Sequence, residues 1–382
     1  MFKKILFLLL IFAFTNGFSQ KMQLSKNAKV SIITIGTASP TYALYGHTAI
    51  RFKDEQSLLD VVFNYGSFDF ETKNFMLRFV KGDLQYFASS SPYAPFEYAY
   101  RYENRSVYEQ VLDLPLDKIQ SLYTSITNSL TSNERFYTYK FIDKNCTTMI
   151  IDKINEVLGS TVIRFEKSQK LTYRSVLFPY TNQHFFQQLG INIVFGTKVD
   201  EKASTLFLPL DLMQELKNIS YKGKKLVRES TTVYEAPKQT NSFNFFDSIY
   251  ILIMFLSIVV FLNNKTITLA YFSVLGLLGI FFSLVGLYSW HEEVLWNYNI
   301  LLFNPFYLVL IYCLYRKNET QIKRVKWLIL LLLTIYLVIL LNKVYLLSVL
   351  PIIVANYILL LRIKITTKLR FKNSFLISNF LM

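Results

Sequence analysis

The chain has 382 residues, of which 52% are hydrophobic and only 18% charged. A soluble domain runs about a quarter charged, so this balance excludes a disordered chain and points to a membrane component. The net charge is +15, and +8 of it falls in residues 247–382, the most apolar part. Basic residues there report membrane topology, which argues against nucleic acid as a partner.

In chain order, residues 1–20 read as a signal peptide. Lys3 and Lys4 precede a ten-residue apolar run, too short to span a bilayer, and small and polar residues follow it. Residues 21–246 read as an exported mixed α and β domain. Strands are expected at 30–35, 48–52, 60–64 and 135–142, and helices at 72–81, 116–130 and 146–158. In the last helix Met149, Ile150, Lys153, Ile154 and Val157 recur at helical spacing, and Gly159 is placed to end it. Residues 217–242 are polar and read as a linker.

Residues 247–382 read as a five-helix membrane domain. Spans are expected near 243–262, 267–288, 298–315, 325–341 and 344–361, each close to the length that crosses a bilayer. Lys265, Arg316, Lys317, Lys323, Arg324, Lys326 and the tail from Arg362 to Lys372 fall on one side, and Lys343 alone on the other. The basic side is expected to be cytoplasmic, which puts residues 21–246 outside and the C-terminus inside. Helical spans with this bias fit a bacterial inner membrane, with the exported domain in the periplasm.

The chain holds two cysteines, Cys146 outside and Cys313 near the cytoplasmic end of a span. They cannot pair, and an unpaired exported thiol calls for a reason. No metal-ligand spacing is present, so no metal or other cofactor is expected. Cys146 sits where a strand gives way to a helix, the place where a helix start stabilises a thiolate and its N–H groups can hold an oxyanion. The exported domain offers two histidines as base, His47 in Tyr45-Gly46-His47-Thr48 and His184, which has no motif around it. On composition alone Cys146 could be a buried small hydrophobe and His47 a structural histidine.

The run Tyr45-Gly46-His47-Thr48-Ala49-Ile50-Arg51-Phe52 resembles the opening signature of the Lnb-type lipoprotein N-acyltransferases. The likeness continues through Asn64-Tyr65-Gly66-Ser67-Phe68-Asp69-Phe70, through residues 102–110, and through Asn145-Cys146-Thr147-Thr148. In the membrane part, His291, Asn297-Tyr298-Asn299 and Asn304-Pro305 resemble that family's second signature. The chain departs from the family at Lys144, Met149 and Tyr298.

The resemblance implies a permuted papain-like domain of the NlpC/P60 type, an α+β fold, followed by an all-α five-helix membrane domain. It implies Cys146 as nucleophile and His47 as base, with Asn64 or Tyr65 on the next strand orienting the histidine. The expected reaction moves a fatty acyl chain from a phospholipid, through a Cys146 thioester, to the N-terminal amine of a diacylated lipoprotein. Residues 289–297 and the following helix end, with His291, Trp296, Asn299 and Asn304, are expected to line the lipid or amine site. The competing reading of that loop is an interfacial anchor. Two other functions stay open: a membrane-tethered cysteine peptidase or amidase acting on cell wall, and a receptor or assembly factor in which Cys146 does no chemistry.

Overall fold

The structure is a computed structural model that describes residues 22–165, 171–237 and 243–363. The signal segment expected at 1–20 lies outside the described residues. The chain forms two compact units, one of residues 1–168 and 204–239, the other of residues 169–203 and 240–382.

The elements begin with β1 (Lys29–Ile35), β2 (His47–Asp54), β3 (Leu59–Ser67), α1 (Phe75–Lys81), β4 (Gln85–Pro92) and α2 (Tyr93–Tyr102). Next come β5 (Val107–Leu112), α3 (Leu116–Thr131), β6 (Phe136–Thr138), α4 (Cys146–Leu158), α5 (Tyr173–Leu177), α6 (Phe185–Val194) and α7 (Pro209–Leu216). The run closes with β7 (Ser220–Tyr221), β8 (Lys224–Lys225), β9 (Val227–Tyr234), α8 (Ile249–Phe261), α9 (Lys265–Tyr288), α10 (Phe306–Tyr315), α11 (Glu319–Leu340) and α12 (Leu346–Arg362).

The first unit is built on a seven-stranded antiparallel sheet in the order β6-β4-β3-β2-β1-β5-β9. β1 is apolar on both faces because both are covered. Val30 and Ile32 join Ile50, Phe52 and Phe63 in a core closed by Ile119, Leu122 and Ile126 of α3 and by Ile150 and Ile154 of α4. Ile33 and Ile35 join Ala49 and Val62 on the other face, closed by Phe96 of α2. Each buried aliphatic side chain of this kind contributes about 1.5–3 kcal/mol.

Two expectations for this unit change. The strand expected at 135–142 is only three residues long, and the chain then turns back towards Cys146 through a bridge between Lys140 and Lys144. The polar linker expected at 217–242 contains β9, which pairs with β5 at the sheet edge. Its residues are mostly exposed, so backbone pairing holds the strand, and such a strand leaves no apolar alternation to read.

The second unit contains the five apolar helices α8 to α12. Two of its stretches, Lys265–Tyr288 and Glu292–Tyr315, are long and apolar enough to cross a membrane. The span expected at 298–315 becomes helical only at Phe306, after two short 3-10 turns, and Pro305 caps the helix. α9 passes hard against this irregular stretch: a Cβ added at Gly279 would lie 2.3 Å from the Phe303 carbonyl oxygen. Residues 169–203, expected in the exported body, belong to this unit. α6 packs on its helices through Leu189, and Asn297 Nδ2 donates to the Ile193 and Val194 carbonyls at 2.8 Å each.

Candidate active site

The start of α4 is fixed by Asn145. Its side-chain oxygen accepts from the N–H groups of Thr147 and Thr148 at 2.8 and 3.0 Å, and the Thr148 hydroxyl accepts from the Asn145 N–H at 2.8 Å. This capping box satisfies donors that a helix start otherwise leaves unpaired. The other end of the same amide donates to the Phe141 and Phe207 carbonyls at 2.8 and 2.9 Å. Cys146 is therefore held as the first residue of the helix, buried, with its thiol free of any disulfide.

His47 opens β2, and Gly46 before it has φ +80, where a Cβ would come within 2.5 Å of the Ile35 carbonyl oxygen. Only glycine tolerates that conformation and that approach without strain. His47 Nε2 lies 3.0 Å from Asn64 Oδ1 on β3. An amide oxygen only accepts, so Nε2 carries the proton there and Nδ1 is left to receive one. Burial pushes the His47 imidazole down, but the Cys146 charge, its hydrogen bond and Asn64 outweigh this, and the net shift is upward. Burial pushes the Cys146 thiol up, yet His47 beside it, the Thr48 N–H and the Thr147 hydroxyl bring it below the ordinary thiol value. In each group the partner's charge and hydrogen bond favour the charged form, imidazolium for His47 and thiolate for Cys146, against the effect of burial.

Neighbouring residues complete the arrangement. The Tyr100 ring stacks on His47 with centroids 6.3 Å apart, and the buried Arg105 guanidinium lies 4.9 Å from the centroid of the Tyr100 ring. Arg105 Nε donates to the Gly36 carbonyl at 3.1 Å. Thr48 and Thr147 hydroxyls meet at 2.9 Å and tie β2 to α4. Gly66, at φ +94 in an irregular step between β3 and β4, leaves room beside the nucleophile: a Cβ there would sit 3.8 Å from that of Cys146. Gly66 and Arg105 lie inside the sequence signatures, whereas Tyr100 carries no local signal. Two of the N–H groups expected to serve an oxyanion are already taken by Asn145, so the donor from the helix start narrows to the Cys146 amide. Among the described residues, no group of three or more His, Cys, Asp and Glu side chains could hold a metal ion.

Of the two candidates for orienting His47, the structure brings Asn64 to it and not Tyr65. Tyr65 is fully buried in the core on the opposite face of β3, with its hydroxyl 3.2 Å from Ser129 of α3. Adjacent residues of a strand face opposite ways, so one of the pair had to turn away. His184 lies in the second unit, 3.5 Å from Asp247.

The second unit holds the other expected site residues. His291 is half-buried and Trp296 is 86% exposed, with φ +50. Asn304 is buried; its Nδ2 donates to Leu301, and its Oδ1 has no hydrogen-bond partner among the described residues. Asn299 is buried and its amide is fully hydrogen-bonded within the unit. It donates to Asn192, Ile193 and Asn297, and it accepts from the Tyr336 hydroxyl at 2.6 Å and from Tyr345.

The same unit contains a buried polar cluster of which Tyr298 lies in a sequence signature and Arg174, Asp200 and Lys343 do not. Arg174 pairs with Asp200 at 2.8 Å and donates to Asn192 and to the Phe195 and Gly196 carbonyls. Asp200 also accepts from the Tyr298 hydroxyl at 2.7 Å and faces Lys343 at 3.3 Å. Burial raises the Asp200 carboxyl, but Arg174 and the other donors outweigh it and hold the group below its ordinary value.

No curated protein and no solved structure matches the chain. Residues 15–179, which include His47, Asn64 and Cys146, match the family description Lnb N-terminal periplasmic domain. Residues 235–374 match the Lnb transmembrane domain. With both family domains present in order and covering most of its length, the chain belongs to the Lnb family, as a periplasmic mixed α/β domain followed by a helical transmembrane domain.

Proposed function

We propose that the protein is a lipoprotein N-acyltransferase with Cys146 as nucleophile. The Cys146 thiolate attacks the ester carbonyl of a membrane phospholipid. The bond from that carbonyl to the glycerol oxygen breaks, and the His47 imidazolium protonates the departing lysophospholipid. The α-amine of a diacylated lipoprotein's N-terminal cysteine then attacks the thioester. A C–N bond forms, the C–S bond breaks, His47 takes the amine proton, and the thiolate is regenerated. Asn64 holds the imidazole in the tautomer both steps need.

The observation that carries this reading is the Cys146–His47–Asn64 arrangement in a chain whose other half matches a transmembrane domain. The pair alone would equally serve a cysteine peptidase or amidase. A helical membrane domain favours substrates that are themselves lipid-anchored, since tethering a peptidase takes one span. Its family placement supports the inner membrane, and the Lys/Arg bias supports a cytoplasmic C-terminus. In this reading His291, Trp296 and Asn304 contact the lipid or the amine, Asn304 through its buried acceptor. The domain is read as permuted papain-like because the histidine strand precedes the cysteine helix on an antiparallel sheet.

The test is the mass of a reporter lipoprotein's N-terminal lipopeptide, in a host lacking its own N-acyltransferase. Wild type should add one fatty-acyl mass, and Cys146→Ser should lower the rate by about a thousandfold or more. The same gain with Cys146→Ser would sink the thioester route. No gain with expressed wild type would return the choice to the peptidase. A silent Cys146→Ser in every assay would favour the receptor.

A further inference from the structure

The short helix α1 buries none of its side chains. Phe70, Met76 and Leu77 in and before it are 70%, 66% and 72% exposed. A seven-residue helix is too short to hold itself in water. Its N-cap, Asn74, has φ 59 and makes no side-chain capping bond, and the helix is closed at its other end by the Gly82 N–H bonding to the Arg78 and Phe79 carbonyls. Large apolar side chains gathered on one short exposed segment mark an interaction surface.

Behind the segment runs a row of aromatic rings. Phe75 and Phe68 have centroids 5.8 Å apart, Phe68 and Tyr86 5.4 Å, and Tyr86 and Tyr139 4.6 Å. Tyr139 in turn lies 3.7 Å from the Cβ position of Gly66, the residue beside Cys146. The row therefore leads from the exposed segment to the nucleophile. The charges of the segment and the residues next to it balance: Asp69, Glu71 and Asp83 against Lys73, Arg78 and Lys81. A neutral, apolar-tipped surface suits a zwitterionic lipid layer, and the transmembrane domain of the same chain keeps this unit tethered at one.

We propose that residues 68–81 insert into the lipid surface of the bilayer and that the aromatic row behind them is the track along which a fatty acyl chain reaches Cys146. The second half rests on the acyl-transfer reading, whereas the insertion does not.

The experiment uses the full chain in nanodiscs of phosphatidylcholine, with or without bromine on the acyl chains. Leu77→Trp is compared with Leu58→Trp, whose position is 94% exposed in the β2–β3 turn, at the other end of those strands. Wild-type emission from Trp290, Trp296 and Trp327 is subtracted from both. Brominated lipid should quench the added emission of Leu77→Trp about twofold and leave that of Leu58→Trp unquenched, as expected for a side chain within the acyl boundary. Equal, water-like emission from both variants would overturn insertion. A blue-shifted but unquenched Leu77→Trp would overturn it too, because the cover would then be protein. In a second arm, Met76→Glu with Leu77→Glu should reduce acyl transfer about tenfold while leaving the melting temperature unchanged. Wild-type transfer by that double variant would overturn the track. Because quenching is read without turnover, failure of insertion and failure of the acyl-transfer reading are distinguishable.

Discussion

The two units each bury a cluster of polar side chains and put it to opposite uses. In the second unit every strong group around Arg174 is answered: the guanidinium has a carboxylate, an amide and two carbonyls, and Asp200 has a cation on either side and a phenol. Asn299 nearby is equally saturated. In the first unit Asn145 is saturated in the same way, but it presents a thiol that is not. Cys146 and His47 interact with each other and with Asn64, Thr48 and Thr147, and Gly66 beside them carries no side chain. Saturation rigidifies, and the reactive group stands at the edge of a saturated frame.

The largest effect should come from opening the saturated cluster. Arg174→Leu leaves Asp200 buried with less than its full set of partners and should lower stability by about 3–5 kcal/mol, the usual consequence of breaking a buried ion pair. Thermal unfolding of the full chain in detergent checks this, and an unchanged midpoint would mean the cluster does not hold the unit together. Asn145→Ala removes the cap and both carbonyl contacts, and should cost about 2 kcal/mol. It should also slow Cys146 alkylation, because the thiol loses its fixed place at the helix start.

Asn64→Ala should sharpen the contrast at the reactive edge. Alkylation by iodoacetamide needs the thiolate, and the acid step needs the imidazolium. Reactivity is therefore lost as pH falls through the lowered Cys146 value, and turnover is lost as pH rises through the raised His47 value. Without Asn64 the imidazolium loses a stabilising partner, so the alkaline limb should move to lower pH and the active window should narrow. Turnover should fall about tenfold, within the range for a positioned acid–base group. An unmoved alkaline limb would remove Asn64 from the role. Tyr65→Phe is the smallest change: about 1 kcal/mol for the lost bond to Ser129, with no shift in either limb.

What the sequence reveals follows the range of the interactions involved. The helix Cys146–Leu158 was legible because its apolar stripe and its terminator, Gly159, lie close together in the chain. β9 was not, because an edge strand with polar faces is held by backbone pairing to β5, over a hundred residues upstream. The choice between Asn64 and Tyr65 needed the register of β3, which places Asn64 opposite Ala49 and so on the face shared with His47. The Arg174 cluster was invisible because its partners come from three distant stretches, around residues 174–200, 298 and 343–345.

The chain leaves the first unit after residue 168, contributes residues 169–203 to the second, returns at 204, and departs again after 239. The units are thus interlaced along the backbone and not strung end to end. A fragment cut just before α8 would keep the nucleophile and its base but carry Arg174 and Asp200 away from Tyr298, Lys343 and Tyr345. Those stranded charges would invite misfolding or aggregation, and a failed assay on such a fragment would say nothing about the enzyme.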